Sequence, residues 1–346
     1  MAAEPADRIP VLGDRLDGSA GEILIVRDNG GRWWAFAPSG SWLGTGAGPG
    51  SAVLTRHDRT GRIVGLAHER GRSIEIVYAG GRVTCAGASD GRRVDYRYDE
   101  AGRLVGVADA VGARTYEWND AGLISRVVSA AGVVECENLY DETGRVVEQL
   151  TSFGRRVRFA YLPGRVTAVS DAGGANGNTW IADVRGRLVG VIDADDKRQS
   201  MAYDGHGNLV SVIERDGSVT VHVYDERGRK TRTVTPDGAD ITYGYDEHDR
   251  LLTVVTASGG VVEYGYDADS DRDPSVIVDP CGGRTRLSWR DGLLERVVDP
   301  TGVVVSLAYD GHGELIETTN AVGGTARIER DPAGRGLSPR CRRRAR

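Results

Sequence analysis

Six aspartates recur in one short setting along this chain. Asp99, Asp141, Asp204, Asp225, Asp246 and Asp310 each follow a tyrosine. A carboxylate repeated so regularly invites two chemistries, calcium coordination and acid–base catalysis. Calcium loops converge several oxygen ligands within one short segment, whereas here each Asp has mainly Gly and Arg for company. The densest group of candidate ligands, DADSDRD at Asp267–Asp273, coincides with the longest spacing in the pattern and reads as an inserted loop. His57, His206, His248 and His312 fall in or beside the same segments, where turn placement makes them solvent-facing. No Ser sits in a Gly-x-Ser-x-Gly elbow, and no phosphate-binding Gly loop opens a helix. The expectation is no catalytic residue, no cofactor and no metal: not an enzyme.

The remaining reactive or sticky side chains are similarly plain. Cys85, Cys136, Cys281 and Cys341 are far apart, which favours neither a disulfide framework nor a zinc site. Trp33, Trp34, Trp118, Trp180 and Trp289 are the candidate contacts for a glycan or a protein partner. Periodic aromatics in a sheet more often pack across strands, and Trp33–Trp34 could instead plug an open sheet edge. The net charge of −6 argues against nucleic-acid binding by the body of the chain. Arg340, Arg342, Arg343, Arg344 and Arg346 make a local basic tail. No apolar run approaches 18 residues and no basic-then-apolar leader opens the chain, so neither a membrane span nor a signal peptide is expected.

The elements that carry these residues follow from a repeat. An aromatic, Asp, two variable residues and Gly-Arg recur at Tyr98, Tyr140 and Tyr224, with YDGHGN at Tyr203 and the near matches YDEHDR at Tyr245 and YDGHGE at Tyr309. Degenerate copies begin at His57, Tyr78, Trp118, Tyr161, Ala182, Tyr266, Trp289 and Arg330. These fourteen anchors span 273 residues in thirteen intervals, a period of 21. Within a unit, Asp99 and Gly102 mark a turn, because Asp bonds its own backbone and Gly supplies positive φ. Asp141 with Gly144, Asp204 with Gly207, Asp225 with Gly228, Asp246, and Asp310 with Gly313 mark the same turn in other units. An aliphatic strand follows (Leu104, Val105, Val107), then a second turn with its own Gly, then a returning strand. Gly132, Gly154, Gly217, Gly238, Gly259 and Gly323 hold the second-turn position. The 49 glycines among 346 residues fit this economy of short strands and tight turns.

A lone hairpin is marginal in water, so neighbouring units must pair edge to edge. The expected fold is all-β: tandem antiparallel hairpins forming one continuous, curling sheet. Two strands per unit at about 4.8 Å each give roughly 130 Å of sheet, too wide to stay flat against right-handed twist. A seven-bladed propeller is the alternative, since two units match the length of a blade. It predicts odd and even units of different character, and the consecutive copies at Tyr203, Tyr224 and Tyr245 are alike.

Tandem YD-x-x-G-R units of this length resemble the YD/Rhs repeat family, which includes Rhs polymorphic toxins, the C components of Tc toxins, and teneurins. The resemblance covers about residues 57–335, and GGRWWAFAPSGSWLGTG before it is similar to the tail of a lead-in module. It implies a spiralling β-sheet shell, the open part of a β-cocoon, around a toxic C-terminal polypeptide. The partners so implied are a toxin cargo or a neighbouring shell segment, with secretion or cell-surface display by a dedicated export route and a cytoplasmic stage before it.

The domain expectation is a β-rich tail of a lead-in module at 1–56, about fourteen repeats at 57–335, and a disordered basic tail at 336–346. The functional expectation is a structural shell segment that encapsulates and helps deliver a toxin, here lacking the core domain and toxin. The alternative is an extracellular adhesion or carbohydrate-binding module. RDPAGR at Arg330–Arg335 opens a further repeat, but GLSPRCRRRAR follows where an aliphatic strand belongs. The reading frame is therefore expected to be truncated or shifted near residue 335. The DNA beyond that codon should encode further YD repeats in another frame; translating both other frames and finding none overturns this expectation.

Overall fold

The computed structural model describes residues 23–28, 30–174, 177–268 and 272–342, with side chains as far as residue 337. Thirty-one strands and no helix are found among the described residues, and the strands are assigned to one 31-stranded antiparallel sheet. The chain divides into two compact units, Met1–Arg93 with Thr242–Arg346, and Val94–Ile241.

In the first unit, seven strands run from Leu24–Arg27 to Arg82–Ala88, each paired antiparallel with the next. Its second stretch carries ten strands, from Asp240–Tyr245 to Gly336–Arg342, again paired in sequence order. Among the described residues no pairing joins Leu24–Arg27 to Gly336–Arg342, so the sheet is not closed into a barrel. The second unit holds fourteen strands, from Arg93–Tyr98 to Lys230–Val234, in one unbroken succession. A propeller would interrupt pairing after every fourth strand, and no run here is interrupted. The propeller alternative is excluded.

Each anchor ends or nearly ends a strand, and turns alternate between two rims of the ribbon. The anchor turns occupy one rim and the second turns the other, hereafter the far rim. Twelve anchors carry a β-bulge where the chain enters or leaves the anchor turn, as between Leu139 and Tyr140 or Val223 and Tyr224. A bulge bends its strand and increases the local twist, so bending is built in at most anchors.

Burial is concentrated outside the repeats. Ile23, Ile25, Trp33, Ala35, Ala52 and Leu54 form the one buried apolar cluster found among the described residues, with Leu43 packed against it. Trp33 reaches 6% exposure because Gly46 lies under its ring; a Cβ there would sit 2.8 Å from Cζ2. Along the repeats most residues are half-buried, alternating with exposed ones, as in Arg156–Leu162 and Val219–Tyr224.

The tail expected to be disordered departs from that expectation over Gly336–Arg342, which forms a strand against Thr325–Arg330. The Asp331–Arg335 turn folds like the other anchor turns and delivers the chain back along that edge. Pro339, opposite Ile328, is tolerated because it occupies an edge strand. Residues 1–22 and 343–346 lie outside the described residues.

Candidate functional site

The repeated carboxylate is a turn builder. In Asp141–Arg145, the Asp141 N–H donates to Arg145 O (2.8 Å) and the Gly144 N–H donates to Asp141 O (3.0 Å). Gly144 takes φ 80°, a conformation that costs glycine nothing. Asp141 Oδ1 accepts from the Thr143 and Arg145 N–H groups at 2.9 and 3.0 Å, and Oδ2 accepts from Arg145 Nε at 2.9 Å. Asp99, Asp225 and Asp246 bind Arg103, Arg229 and Arg250 in the same way. In Asp204–Asn208 and Asp310–Glu314 the backbone bonds persist without the arginine. Asp249 stands where Gly is usual in its turn and adopts φ 65°, which Asp tolerates better than most residues.

The arginine then reaches into the next repeat. Arg62, Arg145, Arg187 and Arg250 lie over the rings of Tyr78, Tyr161, Tyr203 and Tyr266, with centroid distances of 4.4–4.9 Å. Arg103 covers Trp118 at 5.8 Å. Each anchor ring in turn donates to the carbonyl just after the arginine that covers it: Tyr78 to Ile63, Trp118 to Leu104, Tyr161 to Val146, Tyr203 to Leu188 and Tyr266 to Leu251. Even the degenerate anchor Arg330 follows suit, with Nε donating to Leu315 O at 2.9 Å. The motif is thus a tie between consecutive repeats.

These contacts set the carboxylate acidities. The Thr143 hydroxyl and the Arg145 N–H hold Asp141 far below the usual carboxylate range, and Thr60 with Arg62 does the same to Asp58. The Arg92 guanidinium brings Asp90 down to about 2. Burial pushes Asp246 up, yet the Arg250 backbone and guanidinium outweigh it and the net shift is downward.

The tryptophans fall into different environments. Trp33 is buried in the apolar cluster. Trp34 and Trp180 are half-buried within strands, and Trp118 is held under Arg103. Trp289 is the most open, at 36% exposure, with Nε1 donating to Pro274 O. It lines a shallow cavity of about 400 Å³ with Pro49, Asp267, Arg272, Asp273 and Ser288. Of the DADSDRD stretch, residues 269–271 lie outside the described residues, and no cluster of metal-ligating side chains is found among the described ones. His206 and His312 are exposed, His57 and His248 half-buried.

Sequence reasoning missed a different feature. Val111, Phe153, Val184 and Val322 project from turn tips at 82–95% exposure. It also missed a seam within the first unit, where far-rim turns of its early stretch meet anchor turns of its late stretch. Arg72 pairs with Glu314 at 3.3 Å, His312 Nδ1 lies 2.9 Å from Arg70 O, and Arg70 also donates to Asp291 O. The signal was available only in part: anchor glycines recur at 292, 313 and 334, but the residues they meet are Pro49, Arg70 and Arg72, far away in the sequence.

Removing a well-enclosed turn carboxylate should open its loop. Asp246→Ala loses three hydrogen bonds from a guanidinium and two amides, about 3 kcal/mol by the scale for charged partners. Hydrogen exchange at the His248 and Arg250 amides should accelerate accordingly, and unchanged protection overturns the assignment. Asp331→Ala should matter less, because Arg335 is 79% exposed. Because these carboxylates are more acidic folded than unfolded, their stabilisation is complete above about pH 4 and is lost as pH falls through the folded values. For Asp90 that value is about 2. The thermal midpoint should hold above about pH 5 and fall below pH 4; a flat profile to pH 2 contradicts the turn chemistry.

Comparisons with known proteins bear on the repeats directly. The teneurin YD-shell profile matches residues 50–223, and the RHS repeat profile matches 224–261 and 289–325. No curated protein sequence matches the chain. Among solved structures, a crystal structure of TcdB2–TccC3 is 14% identical over 94% of this chain and 28% of its own, with a TM-score of 0.40. The Photorhabdus luminescens Tc holotoxin pore, carrying a TccC3 mutation, is 12% identical over 87% of this chain and 24% of its own, with a TM-score of 0.34. This chain therefore spans less than a third of the length of those chains. With half of its residues matched by one profile and tandem repeats matched by the other, the chain belongs to the teneurin YD-shell and RHS-repeat family of structural shell repeats.

Proposed function

We propose that this chain is a wall segment of an exported shell that encloses a polypeptide cargo, a toxin in an intact protein. The observation that carries the reading is a long unbroken antiparallel ribbon with almost no core of its own. Among the described residues the repeats contribute little full burial beyond Cys85 and Val191. A sheet with so little full burial among its described repeats, yet with ties between consecutive repeats, suits separation of two spaces. It does not suit a pocket for chemistry.

The adhesion alternative rests on one ring, Trp289, beside a shallow polar cavity. Four of the five candidate tryptophans are buried, half-buried or covered, which leaves little aromatic platform.

Enclosure has a direct test. The polypeptide encoded immediately downstream, produced together with this chain, should co-purify with it and resist protease at least tenfold longer than when produced alone. Digestion at equal rates with and without the chain overturns the reading.

A further inference from the structure

Arginines on the strands of the repeats are commonly matched by carboxylates. Arg114 meets Glu135, Arg126 meets Glu137, and Arg327 meets Glu317. In Arg156–Leu162 two arginines share one acid: Arg156 and Arg158 lie 2.6 and 3.3 Å from Glu148. Glu148 stands opposite Arg158 on the preceding strand.

The strand Arg284–Arg290 repeats that arrangement without the acid. Arg284 and Arg286 precede the anchor ring of Trp289 by the same spacing that separates Arg156 and Arg158 from Tyr161. The residues opposite them on the preceding strand are Val278 and Val276. On the following strand a third arginine joins: Arg296 stands opposite Ser288 and so diagonal to Arg286, whose own partner there is Val298. All three arginines are exposed, and none has a hydrogen bond or ion pair among the described residues. Asp279 and Asp299 in the adjoining turns accept from turn amides. Glu263, in line beyond Val278, is two strands from Arg284, about 10 Å away. Other unpaired arginines, such as Arg32, Arg59, Arg155 and Arg165, sit singly in turns. Here the successive arginine positions are roughly 7 Å apart along the strand and on the diagonal, so positive charge gathers where the equivalent strand neutralises it.

We propose that this face docks an extended acidic polypeptide segment of a partner, with carboxylates at alternate residues. Side chains on one face of an extended peptide repeat every 7 Å or about that, which matches Arg284 and Arg286, and Arg296 takes a further carboxylate. A guanidinium offers a planar fork that a carboxylate fills with two parallel bonds, and it is weakly hydrated, so pairing costs it little. Val276, Val278 and Val298 flank the arginines on the same face and give the methylenes of a glutamate an apolar contact, which a sulfated polysaccharide does not use. The surface lies on three neighbouring strands of the first unit and is independent of enclosure.

Fluorescence anisotropy on the full chain at low salt tests it, with a labelled peptide of alternating Glu and Ser as probe. The probe should bind at least fivefold more tightly than a peptide of the same composition whose Glu residues stand in adjacent pairs. A heparin-derived oligosaccharide of equal charge should also bind more weakly than the probe. Val276→Glu, which supplies the carboxylate that Glu148 supplies to Arg156 and Arg158, should weaken the probe at least tenfold. Arg286→Gln with Arg296→Gln should do the same and leave circular dichroism and the thermal midpoint unchanged. Arg155→Gln should leave the affinity as it is. No binding of the probe, equal affinity for the two peptides, tighter binding of the oligosaccharide, or affinity that survives the Arg286 and Arg296 substitutions overturns the proposal.

Discussion

The repeat region is organised around one tie, complete at five anchors: a carboxylate that folds a turn, holds an arginine, and through it fixes the aromatic ring of the following unit. Asp141, Arg145 and Tyr161 show all three steps. Asp141 fixes the Arg145 guanidinium at 2.9 Å, Arg145 lies 4.6 Å over the Tyr161 ring, and the Tyr161 hydroxyl donates to Val146 O. A guanidinium held by a carboxylate and stacked on a ring has little rotational freedom left to lose. The ring, anchored at its hydroxyl, cannot swing away. Backbone ladders alone would let a hairpin fray from its neighbour; the tie couples the turn of one repeat to the end of the strand in the next.

This coupling accounts for stability without a core. Two-faced sheets normally gain their stability by packing one face on another layer, and in this ribbon little is fully buried among the described residues of the repeats. Its aromatic face is half-buried by neighbouring repeats on either side, through cross-strand contacts. The opposite face is lined in places by ion pairs such as Arg126 with Glu117 and Glu137, which are largely exposed and individually weak. Full burial is concentrated at Ile23–Leu54, where the repeat pattern has not yet begun and a small hydrophobic cluster closes the first strands.

The period, the strand count per unit and the turn residues were legible because they are local. Asp, Gly and alternating aliphatics state their geometry within six residues, and a 21-residue register repeats the statement fourteen times. The role of the tyrosine hydroxyl was not legible, since its acceptor at position i−15 is a backbone carbonyl with no sequence signature. Whether Trp33 packs, plugs an edge or meets a partner was left open by the sequence, because the glycine that makes room for it, Gly46, lies on a neighbouring strand. Gly336–Arg342 read as disordered because its composition is basic, whereas the strand follows from an available edge and a well-formed Asp331 turn. The seam was beyond reach for a further reason. Its partners are set by bend and twist summed over many repeats, and a small change per bulge would move Arg72 off Glu314.

The two kinds of contact differ in strength, and that difference has a structural consequence. Between strands, each hairpin is held by a backbone ladder and by the tie. Between rims, the first unit uses side chains such as Arg72 and Glu314, at 26% and 36% exposure, and single bonds to carbonyls. Exposed pairs of that kind contribute less than about 1 kcal/mol each, while ladder bonds are lost only together. A wall made this way is firm along the ribbon and compliant across it. Within the first unit the rim contacts are the weaker of the two.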